Sequence, residues 1–193
     1  MKKRSERGAA LVELALLLPF FILLIAAVID FGDAWFKSTS VQTSLNAAAR
    51  TGFDAGDNYD HDYRVLRTLM TEMSNIQNVE RVIIYDAERF DEPPANCFST
   101  ARIWGVSGDC VSYSGNFLDG VVSGAVKNEF HPTSCPSSAD SFWCAASRPP
   151  TAGGAYDVGV YVVASQDALT GLMPFFDSYS LEKNLVITEF KRT

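Results

Sequence analysis

The stretch AALVELALLLPFFILLIAAVI, residues 9–29, decides how this chain is built. Its 21 residues carry one charge, Glu13. A helix rising about 1.5 Å per residue needs roughly 20 residues to cross the hydrocarbon core of a bilayer, so the stretch is long enough to span. Before it stands MKKRSERG, with Lys2, Lys3, Arg4 and Arg7; after it come Asp30 and Asp33. Basic flanks stay on the cytoplasmic side, which places the N-terminus in the cytoplasm and everything after Asp30 outside. Phe31, Trp35 and Phe36 then read as an interfacial aromatic belt.

Glu13 needs a reason to sit in an apolar run. A charge at the centre of a spanning helix costs about 2.5–3.5 kcal/mol on insertion scales, and such groups usually mark function. Glu13 lies five residues past Gly8, near one end, where snorkelling to the headgroups lowers the cost. A cleaved secretory signal fits poorly. The run exceeds the usual apolar region of about 7–15 residues, and Leu24 or Ile25 stands two before Ala26 or Ala27, where a small residue is needed.

Beyond the anchor about 160 residues remain, enough for one domain. The chain's formal charge is −7, and the basic tip holds four of its cations, so the remainder is more acidic still. That balance argues against nucleic acid, whose phosphates are held by clustered Lys and Arg. Cys97, Cys110, Cys135 and Cys144 all fall in the part placed outside the cytoplasm, where disulfides persist. Four cysteines allow three connectivities; the local pairs Cys97 with Cys110 and Cys135 with Cys144 close short loops and are favoured on that ground. No Cys-x-x-Cys pair occurs, so a zinc site is a poor second reading.

Helical periodicity continues past the membrane, with Val41, Leu45, Ala48 and Ala49 recurring at spacings near four. One helix is expected from about Ala9 to Arg50, with Gly52 as its C-cap. The acidic segment DAGDNYDHD, residues 54–62, imitates a calcium loop. It lacks the Gly at position six and the Glu at position twelve, and so reads as a solvated turn with Asp60 or Asp62 capping the next helix. That helix, about Asp62 to Asn75, carries Val65, Leu66, Leu69, Met70, Met73 and Ile76 on one face. Strands are expected at 79–87, 156–165 and 181–192. Leu185, Ile187 and Glu189 share one face of the last. Between Glu92 and Pro150 the text is rich in Pro, Gly, Ser, Asn and Cys, the composition of a stapled, loop-rich insertion, with a short helix or strand near Asn116 to Lys127. The architecture expected is α+β: a long N-terminal helix carrying a head in which a helix packs on a mainly antiparallel sheet.

No enzyme motif survives inspection. GVSGD around Ser107 and VVSGA around Ser123 each miss one glycine of a nucleophile elbow. There is no phosphate-cradling glycine loop and no His-Glu-x-x-His metal pair. His61 and His131 stand alone and read as surface or packing residues. The chain is expected to be a non-enzyme with no cofactor, no metal and no small-molecule substrate.

The chemistry that can be argued is done to the chain. RGAALVEL, residues 7–14, resembles the processing site of type IV prepilins, in particular the pseudopilins of the tight-adherence (Tad) system. LLPFFILLIAAVIDFGDAWF and SVQTSLNAAARTGF, within residues 17–53, resemble the TadE-like pattern of an apolar stretch, an Asp-Phe-Gly exit and a helix closing in Asn-Ala-Ala-Arg. The resemblance implies that a prepilin peptidase on the cytoplasmic face cuts between Gly8 and Ala9. It also makes Glu13 the acid at the fifth position of the mature chain. A Gly before the cut presents no side chain to the protease. The amine freed on Ala9 would then offer Glu13 a partner on the same or a neighbouring chain. The major Flp pilins carry Tyr after this Glu and have short heads; here Leu14 follows, and the head is large. Both departures favour a minor pilin or pseudopilin over the main filament subunit.

The resemblance therefore implies a single-pass inner-membrane protein that assembles Flp-type adhesion pili. Its partners would be the prepilin peptidase, other pilins or pseudopilins and the assembly platform. The competing reading is a membrane-anchored binding or adhesin module, outside any filament, whose Cys-rich insertion makes the contacts. An anchored enzyme with an unread site comes third.

Overall fold

The computed structural model describes residues 3–55, 58–98, 109–130, 143, 145, 148, 155–172 and 178–190. Its first element, α1 (Lys3–Ala55), is a single helix of 53 residues that passes through Pro19. At about 1.5 Å per residue it is roughly 80 Å long. It does not end at Gly52. A Cβ there would lie 3.0 Å from His61 Nε2 and 3.1 Å from Val65 Cγ2, so this glycine lets the next helix approach rather than capping α1.

The other elements are α2 (His61–Glu72), β1 (Asn78–Asp86), β2 (Cys110–Ser114), α3 (Gly115–Ser123), β3 (Ala155–Asp167) and β4 (Ser178–Phe190). The strands form one antiparallel sheet in the order β2-β1-β3-β4. The α+β class expected from the sequence is the one observed. The three expected strands are present as β1, β3 and β4. The fourth, β2, lies inside the segment read as loop-rich, where only five residues pair with β1. Phe117, Leu118 and Val121 of α3, from the same segment, are buried in the common core. Gly124 ends α3 in the left-handed conformation with φ of 78°, which a side chain would strain.

One face of the sheet carries the core. Val82 and Ile84 of β1, Val111 and Tyr113 of β2, and Val158, Val160 and Val162 of β3 pack against Val41, Leu45 and Ala48 of α1 and Leu66, Leu69 and Met73 of α2. Strand register explains the alignment: Val82 stands opposite both Tyr113 and Val162, and Ile84 opposite Val111 and Val160. A bulge between Val79 and Arg81 lets Val79 join the same face as Val82 despite the odd spacing. The other face buries Ile83, Tyr85 and the Cys97–Cys110 disulfide, with Phe90 and Tyr161 alongside.

Candidate functional site on the long helix

From Ala10 to Ile25 every residue of α1 is exposed; Ala26, near the end of the apolar run, is buried. Gly8 is exposed, and a Cβ built on it would meet nothing within 4 Å. Glu13 is exposed between Val12 and Leu14, also exposed, and the surface continues through Leu17, Phe20 and Ile25 to Val28. Bare leucines and phenylalanines over this length suit lipid or neighbouring helices, not water. Among the described residues, one helix is long and apolar enough to cross a membrane. The carboxylate of Glu13 projects from the first turns after Gly8, free to be met by another chain.

Where the apolar run ends, the head takes hold of the helix. Asp30 is only 2% exposed; one carboxylate oxygen accepts the Thr170 backbone N–H at 2.8 Å and the other accepts the Thr170 hydroxyl at 2.6 Å. One turn on, Asp33 pairs with Lys37 at 2.9 Å and accepts the Tyr179 hydroxyl at 3.2 Å. These contacts join the β3–β4 connection and the start of β4 to the helix just past its apolar run. Burial and the nearby Asp33 carboxylate push the Tyr179 phenol up to about 12.

The segment after α1 holds a group that sequence reasoning missed. Asp60 occupies the N-cap position of α2, but its carboxylate accepts from Arg64 Nε at 2.8 Å instead of capping the backbone. Asp62 is not in a solvated turn: it is fully buried. One of its oxygens accepts from Arg148 Nη2 at 2.6 Å and lies 3.1 Å from His61 Nδ1; the other accepts the Tyr113 hydroxyl at 3.0 Å. Arg148 in turn lies over the Trp143 ring at 4.6 Å. Burial works against the Asp62 carboxylate, but Arg148 and His61 outweigh it and hold the group at about 2. Burial, then the Asp62 charge, push the Tyr113 phenol well above its ordinary value. No local signal marks this cluster, because Arg148 lies 86 residues from Asp62. Its chemistry is that of a clamp: a buried ion pair ties Arg148, stacked on Trp143, to the foot of α2.

Of the cysteines singled out by sequence, Cys97 and Cys110 form a disulfide with a Cα–Cα distance of 6.1 Å. Cys135, Cys144 and His131 lie outside the described residues. His61 is a packing histidine, buried against Gly52 and Asp62. Among the described residues no group of three His, Cys, Asp or Glu side chains is placed to hold a metal.

Residues 8–52 match the model of a family described as TadE-like protein. The match begins at Gly8, runs through Glu13 and the apolar stretch, and ends where α2 closes on α1. No curated protein and no solved structure matches the chain. The match covers about a quarter of the chain, and the apolar helix within it fits a single-pass anchor by length and composition.

Proposed function

We propose that this chain is a minor pilin or pseudopilin that acts in assembly of Flp-type pili and is processed by a prepilin peptidase between Gly8 and Ala9. The observation that carries the reading is the bare helix. Gly8 is exposed with open space around it, Glu13 projects from an otherwise apolar surface, and the same residues open the TadE-like match. A helix whose only role was to hold a head in the membrane would gain nothing from an acid there.

Processing turns a liability into a contact. The cut removes the cytoplasmic leader and creates an ammonium on Ala9, and Glu13, at the fifth position of the new chain, offers its carboxylate. Pairing of Glu13 with that charge on an adjacent helix sets the stagger between subunits, because an unpaired buried carboxylate is far costlier than a paired one. The partners are the peptidase, other pilin-like helices and the assembly platform; the head faces outward from the inner membrane. The chain serves as a structural part, not a catalyst.

The test is the intact mass of the mature N-terminus in membranes of its own host, with and without the prepilin peptidase. A chain that begins at Ala9 only when the peptidase is present supports the reading; retention of residues 1–8 in both sinks it. Glu13→Ala should abolish piliation while leaving the head folded. Full activity of a head carried on an unrelated anchor would instead favour the binding-module reading.

A further inference from the structure

We propose that the β3–β4 connection is a second membrane contact, in which Leu169 and Leu172 enter the headgroup–acyl boundary beside α1 and seat the head on the bilayer. The inference rests on the reading of α1 as the anchor, and its observations lie at the exit of that helix. Thr170 is held to Asp30 by its N–H at 2.8 Å and its hydroxyl at 2.6 Å. Asp30 directly follows the apolar run, so the head's connection is fixed at the level where that run ends. The two leucines that flank Thr170 gain no cover from this: Leu169 is 65% exposed and Leu172 54%.

Helix geometry sets their depth. Trp35 lies five residues beyond Asp30, about 7.5 Å farther from the apolar run at 1.5 Å per residue. Trp35 and Phe31 are each 70% exposed, and Phe36 is also bare, as an interfacial aromatic belt requires. A boundary that wets Trp35 therefore also reaches the level of Thr170. At about 100° per residue, Phe31, Trp35 and Phe36 all point at least about 100° away from Asp30. The aromatic side chains thus cover the flanks of α1 that the head leaves open, and Leu169 and Leu172 complete the apolar belt on the head side. The two acids at this level are compatible with the boundary because both are partnered: Asp30 accepts from Thr170 with each oxygen, and Asp33 accepts from Tyr179 and pairs with Lys37. Lys37, paired with Asp33, stands farther out, where headgroup phosphates lie.

The membrane surface is the occupant that this arrangement fits. Two exposed leucines on a connection anchored at the end of a spanning helix meet lipid without any further movement of the chain. The consequence is orientation: with contacts on both sides of Asp30 the head is held against tilting about its helix.

The test uses the full chain reconstituted in phosphatidylcholine–phosphatidylglycerol vesicles. An environment-sensitive fluorophore is attached through Leu172→Cys and, in separate variants, Leu17→Cys and Val122→Cys, with the unaltered chain carried through the same labelling as a blank. Nitroxide-bearing lipids should quench the probes at Leu17 and Leu172 several-fold more than the probe at Val122, an exposed residue of α3. Quenching at Leu17 with Leu172 behaving like Val122 overturns the inference and leaves the anchor intact. A blue-shifted but unquenched probe at Leu172 means contact with protein, a second copy included, and overturns it as well. No quenching at Leu17 removes the anchor reading and this one with it. Photoreactive lipids on the unaltered chain give an independent check that needs no substitution: adducts are expected on the peptide bearing residues 169–172, and their restriction to α1 overturns the proposal.

Discussion

Two lengths of the same helix meet opposite fates. Between residues 9 and 29 α1 is almost wholly apolar and almost wholly bare, with Leu17 53% exposed; between 41 and 48 it is small and polar, yet Val41, Leu45 and Ala48 are fully buried. Nothing in the backbone separates them, since the helix is continuous. The difference shows that hydrophobicity alone does not say where a protein's core lies. The strongest apolar run fits a lipid surround, which is as apolar as leucine and gives no reason to fold back on the head. The weaker stripe is buried because α2 and the sheet are there to receive it.

The sharpest way to break this comparison is at the clamp that ties the foot of α2, which receives the buried stripe of α1, to Tyr113 and Arg148. Arg148→Met leaves the Asp62 carboxylate buried without its main partner, and should cost about 3–5 kcal/mol of head stability, read by urea unfolding of the detergent-solubilised chain followed in the near-ultraviolet. An unchanged midpoint would mean that Arg148 does not hold the head together. The same pair sets a pH dependence. Because the folded carboxyl is held at about 2, below its ordinary value near 4, its contribution is complete above that ordinary value. It is lost as pH falls through the interval down to 2. Acid unfolding of the wild type should therefore steepen below pH 4, and Asp62→Asn should flatten that limb.

A direct contrast comes next. Leu45→Ala should cost about 2–5 kcal/mol, as a leucine fully enclosed by α2 and the sheet, whereas Leu17→Ala should move head stability by no more than about 0.5 kcal/mol. Equal effects would mean that the two lengths share one folding unit. Removing the Cys97–Cys110 disulfide with Cys97→Ser and Cys110→Ser together should cost about 3 kcal/mol on the chain-entropy account, with the loss concentrated in β1 and β2. The smallest effect is expected at the junction: Thr170→Val should speed amide exchange across residues 169–172 while leaving the unfolding midpoint of the head in place. Slowed or unchanged exchange would mean that Asp30 does not fix the connection.

The long helix was legible because its signals are local. Length, the basic tip and the periodic small residues up to Arg50 can each be read within a few turns, and so can the stripe Val65, Leu66, Leu69 and Met73 on α2. Strands β1, β3 and β4 were legible for the same reason, as β-branched runs between turn residues. Strand β2 was not: CVSYS is five residues long, sits amid glycine and serine, and becomes a strand only because β1 offers an edge to pair with. Gly52 carried a misleading local signal, since a glycine near a helix end suggests a stop, whereas the crowding of His61 and Val65 that calls for it comes from another element.

By itself, then, the sequence determined that the chain has one membrane-length helix with an acid near its start and a Gly–Ala bond before it, and that the head is α+β with cysteines in its middle region. Tertiary structure alone decided what the polar groups do. Asp30 finds Thr170 across 140 residues, and Asp62 finds Tyr113 and Arg148 across 51 and 86. The physical reason is that apolar patterning follows the helix and strand period and can be read along the chain, while a buried charge is defined by its partner, and the partner's place is known only once the chain has folded.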